Sequence, residues 1–162
     1  MMVVTTRVRP RIGDVIEILT SEGLAYAQFT HKHETPPRFG ALLRVLPGLF
    51  PQRPSDFSKL VRKSPIFTTF FPLGAACKRG IVHIVASEPI PPHSAAFPIF
   101  RNSHRDRTGK RAGPWFLWDG QREWKSEMLS DEQLRDYPSL GVCNDTLLVE
   151  RIVTGWRHEH DA

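Results

Sequence analysis

Two His-x-His pairs are the residues of this chain whose type and spacing point most directly to metal chemistry. His31 and His33 fall on one face of an extended segment, and His158 and His160 repeat that spacing near the end of the chain. A zinc site needs three or four ligands, and this spacing specifies no third one. We therefore expect no bound metal and no cofactor, with His31 and His33 as weak candidates for metal ligands.

Motifs for phosphate, dinucleotide and acyl-transfer chemistry are missing from the sequence. It contains no phosphate-binding loop, no glycine fingerprint of dinucleotide-binding folds, no G-x-S-x-G nucleophile turn and no paired-cysteine zinc motif. Cys77 and Cys143 have no recognisable nucleophile context, and we expect both to be reduced, packed thiols. These observations predict a non-enzymatic protein without catalytic residues, and an enzyme of unrecognised type is the remaining alternative.

Positive charge is concentrated in one short segment. The chain of 162 residues has a formal net charge of +5, a sign that suits nucleic acid or an acidic protein as partner. The cations of residues 101–111 face a single acid, Asp106; they are Arg101, Arg105, Arg107, Lys110 and Arg111. Because Asn, Ser, Thr and Gly separate these cations, we expect this segment to be an exposed, mobile loop.

An aromatic hairpin follows the basic segment. Two arms rich in tryptophan flank Asp119-Gly120, which predicts a two-residue type I′ turn. The resulting register pairs Trp115 directly with Trp124, with Leu117 on the same face. It leaves Trp118 on the opposite face, and the hairpin is therefore aromatic on both sides.

Aromatic and arginine side chains beside one another favour a binding surface, because these residue types anchor protein interfaces. Both faces of a small hairpin do not easily belong to a core, so we expect one tryptophan to line a groove. The candidate binding residues are Tyr26, Arg101, Arg105, Arg107, Trp118, Arg122 and Trp124. This combination suits an acidic protein and a nucleic-acid strand equally well, and both partners stay open at this point.

The elements that position these side chains are predicted to be short strands separated by Pro and Gly. They predict a mainly β, α+β fold: a twisted antiparallel sheet or partly open small β-barrel with two or three short peripheral helices. Residues 146–154 fit a strand or a helix, and their polar stripe favours a helix capped by Asp145. The length predicts a single domain over residues 1–162, with loosely ordered ends at 1–11 and 157–162.

Hydropathy and the N-terminal residues predict the cellular location of the protein. No stretch approaches the ~18 apolar residues of a membrane span. The first twelve residues lack the apolar run of a secretion signal. We therefore expect a cytoplasmic protein without a membrane partner.

Residues 13–18 (Gly-Asp-Val-Ile-Glu-Ile) and 23–29 (Gly-Leu-Ala-Tyr-Ala-Gln-Phe) resemble the start of the immunity protein 26 family, which is associated with bacterial polymorphic-toxin loci. Strand-like segments at 66–71 and 81–86 and a Pro-rich passage at 88–92 extend the resemblance, which spans residues 12–125. It implies a protein that binds and occludes a toxin-like protein and that carries no catalytic residues.

Two segments depart from the family pattern: the insert at 47–64 and the tail after residue 129. On the segments that do resemble the family, the leading hypothesis is an immunity-type binding protein. The alternative is a nucleic-acid-binding module that uses the basic segment 101–111 and the adjacent aromatic hairpin.

Overall fold

The computed structural model describes residues 8–161 and is mainly β. Over these residues, eight strands form two antiparallel sheets, and there are three short α-helices. Strand accounts for 36% and helix for 21%, so the predicted mainly β fold with short helices is confirmed. Within the described range, the sheets do not close into a barrel.

The described chain forms two compact units. The first comprises the chain up to Ala96 together with Val142–Trp156, and the second comprises Phe97–Gly141 and the described residues from Arg157 onward. The single domain and the loose ends expected at 1–11 and 157–162 stay predictions. Residues 1–7 lie outside the described residues, and His158–Asp161 form a short 3₁₀ helix.

A five-stranded antiparallel sheet in the order β4-β3-β2-β1-β5 organises the first unit. Its strands are β1 (Asp14–Thr20), β2 (Gly23–His33), β3 (Gly40–Val45), β4 (Phe67–Phe71) and β5 (His83–Ser87). The first two strands form a hairpin around Ser21 and Glu22, with Thr20 paired to Gly23. Alternation along β2 then sends Ala25, Ala27 and Phe29 to one face and Tyr26 and Gln28 to the other.

Both faces of this sheet are buried, each under different elements. The face of Ala25, Ala27 and Phe29 packs in one cluster with residues of α1 (Leu73–Lys78) and α3 (Asp145–Thr154). The opposite face packs in a second cluster with Phe57, Leu60 and Val61 from the proline-rich segment 46–64. The strands are therefore apolar on both faces, as is typical of a sheet covered on both sides.

A buried arginine joins the proline-rich segment to the sheet. Arg44 is 1% exposed, and its Nε and Nη2 donate to Oε1 of Gln28 at 3.0 and 2.6 Å. The same guanidinium donates to the carbonyl oxygens of Lys63, at 3.1 Å, and of Val61. Burial lowers the pKa of Arg44 to about 10, so the side chain stays charged at neutral pH.

Residues 146–154 are helical, as their polar stripe favours, and they form most of α3. The helix begins after Asn144, whose extended backbone and side-chain oxygen, accepting from the Leu147 N–H at 2.8 Å, make it the N-cap. Asp145 is therefore the first helical residue and not the cap, which corrects the expected boundary by one residue. Gly155 follows the last helical residue.

The second unit contains a smaller antiparallel sheet in the order β6-β7-β8. Its elements are β6 (Phe100–Arg105), β7 (Arg111–Trp118), β8 (Glu123–Ser126) and α2 (Asp131–Asp136). The capping box of Ser130 and Gln133 starts α2, with hydrogen bonds of 3.1 and 2.9 Å in the two directions. This short helix is therefore formed where its capping residues predict it.

The aromatic hairpin forms, but its predicted register is wrong by two residues. Trp118 pairs with Glu123, so residues 119–122 make a four-residue connection. The carboxylate of Asp119 accepts from the backbone N–H groups of Gln121 and Arg122 at 2.9 and 2.8 Å. Asp119 does not have the positive φ that a type I′ turn requires.

The faces of this hairpin are nevertheless as expected. Side chains alternate with a period of two, so a shift of two residues leaves every side chain on its original face. Trp115, Leu117 and Trp124 share one face, although Trp124 pairs with Leu117 and not with Trp115. Trp118 lies on the other face.

Gly120 provides a test of this turn. Its φ is +95°, and a Cβ there would lie 2.9 Å from the ring of Phe97, which packs between Phe100 and Trp118. We expect Gly120→Ala to lose about 1–3 kcal/mol more stability than Gly109→Ala in urea unfolding, because only the first adds an overpacked contact. Gly109 has φ +82° and nothing within 4 Å, so it shares the backbone strain alone. Equal losses would contradict the packing of Phe97.

Candidate functional site

Tyr26 is fully buried and belongs to a polar cluster under the proline-rich segment. Its hydroxyl donates to Oε2 of Glu17 at 2.8 Å. Nε and Nη2 of Arg53 donate to Oε2 and Oε1 of the same carboxylate at 2.7 and 2.8 Å. The rings of Phe50 and Phe57 pack edge-on against Tyr26 at centroid distances of 5.6 and 4.8 Å. Tyr26 therefore does not line a groove, which corrects its assignment as a binding residue.

The electrostatics of this cluster indicate a structural role. The hydrogen bonds from Arg53 hold the pKa of Glu17 below its ordinary value, and His83, its cross-strand neighbour, acts in the same direction. Burial, together with the hydrogen bond to Glu17, raises the pKa of Tyr26. A carboxylate that stays ionised and a phenol that stays protonated do not exchange a proton near neutral pH. The cluster therefore fixes the segment 46–64 and is a poor acid–base pair.

The lowered pKa of Glu17 gives its contribution to stability a definite pH dependence. The contribution is present above the unfolded-state pKa of about 4.3 and is lost as pH falls through the lower folded-state pKa. We expect Glu17→Gln to cost about 1–3 kcal/mol at pH 7. The difference from the wild type should shrink toward pH 3 in urea unfolding. Glu22→Gln, at an exposed position of the same hairpin, is the control; a pH-independent cost of Glu17→Gln would contradict the ion pair.

Arg101 is also buried, at 1% exposure, and its guanidinium binds four backbone carbonyl groups of the described chain. Nε donates to Tyr137 at 3.0 Å and Nη1 to Asp161 at 2.8 Å. Nη2 donates to Leu134 at 3.1 Å and to His158 at 2.6 Å. Burial lowers the pKa of Arg101. Arg101 therefore joins β6 to the end of α2 and to the 3₁₀ helix, and its assignment as a binding residue is corrected.

The geometry of Arg101 predicts that lysine does not replace it. An ammonium group is a point charge and does not reproduce the planar fork that reaches several carbonyl groups at once. We expect Arg101→Lys to lose about 2–4 kcal/mol of stability, because buried carbonyl oxygens lose their donors. Tryptophan fluorescence during urea unfolding reports this loss, since Trp115, Trp118 and Trp124 lie in the second unit. Arg107→Lys, at an exposed position, should change little; equal effects would contradict the buried role of Arg101.

The basic segment is mostly strand, which corrects the loop expected over residues 101–111. Only the turn 106–110 connects β6 to β7, and Asp106 organises it. Its Oδ1 accepts from the N–H and hydroxyl of Thr108 at 2.8 and 2.6 Å and from the N–H of Lys110 at 3.1 Å. These hydrogen bonds lower the pKa of Asp106. We call this turn, with exposed Arg107 and Lys110, the basic tip.

Exposed cations of the second unit lie over aromatic rings. The distances from cation to ring centroid are 4.9, 5.6 and 5.7 Å for Arg111 over Trp115, Arg122 over Trp124 and Lys125 over Phe116. Trp124 and Phe116 are half-buried, so their rings remain partly accessible. Lys125 and Phe116 were missed by the sequence analysis because the pairing of Lys125 with Phe116 follows only from the observed register.

The outer face of the smaller sheet has a mixed aromatic and polar character. Phe116 is its central ring, and His104 packs edge-on against it at 5.3 Å. Trp118 lies on the same face, half-buried against Phe97 and Phe100 at 5.5 and 5.8 Å. We call the basic tip, this outer face and the Arg111, Arg122 and Lys125 pairs the hairpin surface. It includes both faces of the smaller sheet, because Trp115 and Trp124 lie on the face opposite Phe116 and Trp118.

The remaining predicted residues lie in or beside the hairpin surface. Arg105 is exposed, and its Nη2 lies 3.1 Å from Oδ1 of Asp161. Arg107 lies at the basic tip, and Arg122 and Trp124 form one of the cation–ring pairs. The structure therefore brings Arg105, Arg107, Trp118, Arg122 and Trp124 into the second unit. Tyr26 lies in the first unit.

The histidines expected as weak metal ligands have other partners. His31 Nε2 lies 2.9 Å from the carbonyl oxygen of Ala95, and His33 is 3.3 Å from the hydroxyl of Thr35. His158 accepts from the Ser139 N–H at 3.0 Å. Within residues 8–161, no group of three or more His, Cys, Asp or Glu side chains is placed to hold a metal ion.

A cavity of the first unit lies at the start of α3. Its volume is about 370 Å³, and its walls are mainly apolar side chains, with Asp145 and Thr146 as polar members. Catalytic pockets usually combine apolar walls with several convergent polar groups. The walls of this cavity do not show that combination.

Comparison with known proteins adds no relative. No family model, curated protein or solved structure matches the chain. The resemblance to the immunity protein 26 family therefore stays a prediction. None of the helices in residues 8–161 is long and apolar enough to cross a membrane.

Proposed function

We propose that this protein is a non-enzymatic, cytoplasmic binding protein of immunity type, which binds and occludes a toxin-like partner protein through the hairpin surface. The observation that carries the proposal is the set of exposed cations held over aromatic rings along the smaller sheet, with Arg111 next to the basic tip. These cations are complementary to an acidic partner surface.

The arrangement of the cations suits them to anchor an interface. A long, flexible side chain loses about 0.5–1.5 kcal/mol of conformational entropy when an interface immobilises it. Arg111 and Arg122 are already held against Trp115 and Trp124, so part of that loss occurs on folding. Arginine and tryptophan also dominate the residues whose truncation weakens interfaces most.

The polar clusters of the first unit support a role without catalysis. Glu17, Tyr26 and Arg53 satisfy one another and hold the segment 46–64. The lining of the cavity at the start of α3 adds no group of converging titratable side chains. A binding function therefore uses the described chemistry better than a catalytic one.

A nucleic-acid strand is the second candidate partner, and the outer face of the smaller sheet favours it. Phe116 is half-buried on a β-sheet face, with His104 and Lys125 beside its ring. Proteins that bind single strands stack bases on such rings and contact the backbone with nearby cations. The same surface therefore supports two classes of partner, which require separate tests.

Binding to a protein encoded next to this chain tests the leading proposal. The measurement is biolayer interferometry with the purified product of an adjacent toxin gene. We expect the double change Arg107→Glu and Lys110→Glu to weaken binding at least about tenfold, a change of about 1.4 kcal/mol. The double change Lys59→Glu and Arg79→Glu, which alters the same charge at exposed positions of the first unit, is the matched control. Equal weakening by both pairs would contradict use of the hairpin surface.

Salt dependence tests the second candidate. The probes are fluorescent single-stranded oligonucleotides of about 20 nucleotides, DNA and RNA, titrated at several salt concentrations. A nucleic-acid module should lose affinity steeply with salt, since each neutralised phosphate releases counterions. It should also lose affinity in Phe116→Leu, which keeps an apolar side chain but removes the stacking ring. On the leading proposal we expect weak binding that Phe116→Leu does not change; the opposite result would replace it with nucleic-acid binding.

A further inference from the structure

A small polar cavity lies on the inner face of the smaller sheet, the face that carries Arg101 and Trp115. Its volume is about 90 Å³, enough for a small ionic group, and all of its lining residues belong to the second unit. The lining includes exposed Arg105, so the cavity reaches the protein surface. Leu140 and Trp115 supply apolar wall.

Two hydroxyl groups at this cavity have hydrogen-bonding capacity to spare. The buried side-chain oxygens of Ser103 and Ser139 make no hydrogen bond within residues 8–161. Buried hydroxyls are normally hydrogen-bonded, so such a pair beside a cavity needs a physical explanation. A hydroxyl can donate as well as accept, and an anion accepts from both.

Two guanidinium groups outnumber the one carboxylate, that of Asp161, among the residues that line the cavity. The four acceptors of Arg101 are neutral backbone carbonyl oxygens, and none of these contacts supplies a negative charge. Arg105 adds a second positive charge from the same strand. Two charges of one sign beside unpaired hydroxyl groups favour an anionic ligand.

The chain itself already places a carboxylate at the edge of this cavity. Oδ1 of Asp161 lies 3.1 Å from Nη2 of Arg105, and the exposures of these side chains are 43% and 32%. Ion pairs this exposed contribute only about 0–1 kcal/mol, so displacing the Asp161 carboxylate from Arg105 costs an external carboxylate little free energy. This contact shows that a carboxylate fits against Arg105 at the edge of the cavity.

We propose that this cavity is a carboxylate-binding site, in which an acidic side chain of the protein partner replaces the Asp161 carboxylate on Arg105 and accepts from Ser103 and Ser139. The carboxylate class follows from the cavity alone, and only its source in a protein partner rests on the proposed function. Asp161 acts as an internal occupant that the partner displaces. The exchange is non-covalent, and Arg101 stays in place as the wall of the site.

Acetate is the probe that tests the site without any partner. The measurement is a titration of the ¹⁵N-labelled full chain, with sodium acetate replacing sodium chloride at constant ionic strength. We expect saturable shifts of the Trp115 indole N–H and of the backbone amides of Ser103 and Ser139. A ligand of four heavy atoms binds weakly, so the Kd should be on the order of 1–100 mM.

Two variants should change acetate binding in opposite directions. Asp161→Asn keeps the backbone carbonyl that Arg101 uses but removes the competing charge, so acetate should bind about two- to fivefold more tightly. Arg105→Ala should abolish the saturable shifts. Arg107→Ala removes the same charge from the same hairpin at the basic tip and is the matched control. Equal effects of Arg105→Ala and Arg107→Ala would reduce the result to adventitious attraction and overturn the site.

The hydroxyl groups provide a readout that does not depend on charge. The double change Ser103→Ala and Ser139→Ala should weaken acetate binding at least about threefold and leave the melting temperature unchanged or raised, because a buried hydroxyl without a partner contributes no stability. A lower melting temperature with unaltered acetate binding would show that the hydroxyls bind only water and would overturn their assigned role.

Sodium phosphate in the same titration separates the two anion sources. Tighter binding of phosphate than of acetate at the same resonances would overturn the carboxylate assignment. The site and the proposed function also fail independently of one another. If the protein binds the toxin-like partner but not acetate, the site alone is overturned. If the protein binds acetate but not the toxin-like partner, the proposed function alone is overturned.

Discussion

Hydrogen bonding of buried guanidinium groups to backbone carbonyl oxygens is the interaction on which both units depend. Arg44 and Arg101 are each 1% exposed, and burial lowers the pKa of both. A buried charge is costly unless it is thoroughly hydrogen-bonded. The chain meets this requirement by directing carbonyl groups of irregular segments toward each guanidinium. In the first unit this fixes the segment around Val61 and Lys63, and in the second it fixes the end of α2 and the 3₁₀ helix.

The hairpin surface therefore depends on a residue that is not part of it. Arg101 and Arg105 lie on the same strand, but the first is buried among carbonyl groups and the second is exposed. By holding the carbonyl oxygen of Asp161, Arg101 places the Asp161 carboxylate within reach of Arg105. A buried structural cation thus determines the environment of an exposed cation four residues away.

Sequence patterns predicted the local features of this fold better than its tertiary contacts. The helix at 146–154 and the faces of the aromatic hairpin follow from spacing alone, since they depend on neighbours within a few residues. The hairpin register did not follow, because the Asp119 side chain accepts two backbone N–H groups and lengthens the turn. Asp-Gly indicates a turn, but the side-chain hydrogen bonds select its length.

The candidate site was predicted only in part for a related reason. Arginine is rarely fully buried, so the cluster at 101–111 indicated a uniformly exposed segment. The first part of the segment instead belongs to β6, and carbonyl groups distant in sequence hold Arg101 in a buried position. The burial of Tyr26 did not follow from the sequence, because Arg53, which binds its partner Glu17, and the ring of Phe57 come from a proline-rich segment that no spacing rule connects to β2. Contacts between distant segments are the information that these patterns lack.

The charge pattern of the hairpin surface bears on the choice between the two partner classes. A nucleic-acid strand presents a phosphate at every nucleotide, and it is best matched by a continuous positive track. Here carboxylates alternate with the cations: Asp106 lies inside the basic tip, and Glu123 lies opposite Trp118. An interrupted pattern repels a uniform polyanion locally, yet it complements a protein surface on which basic side chains are interspersed among the acidic ones. The alternation of charge therefore favours a protein partner, and the same alternation would restrict the choice of that partner.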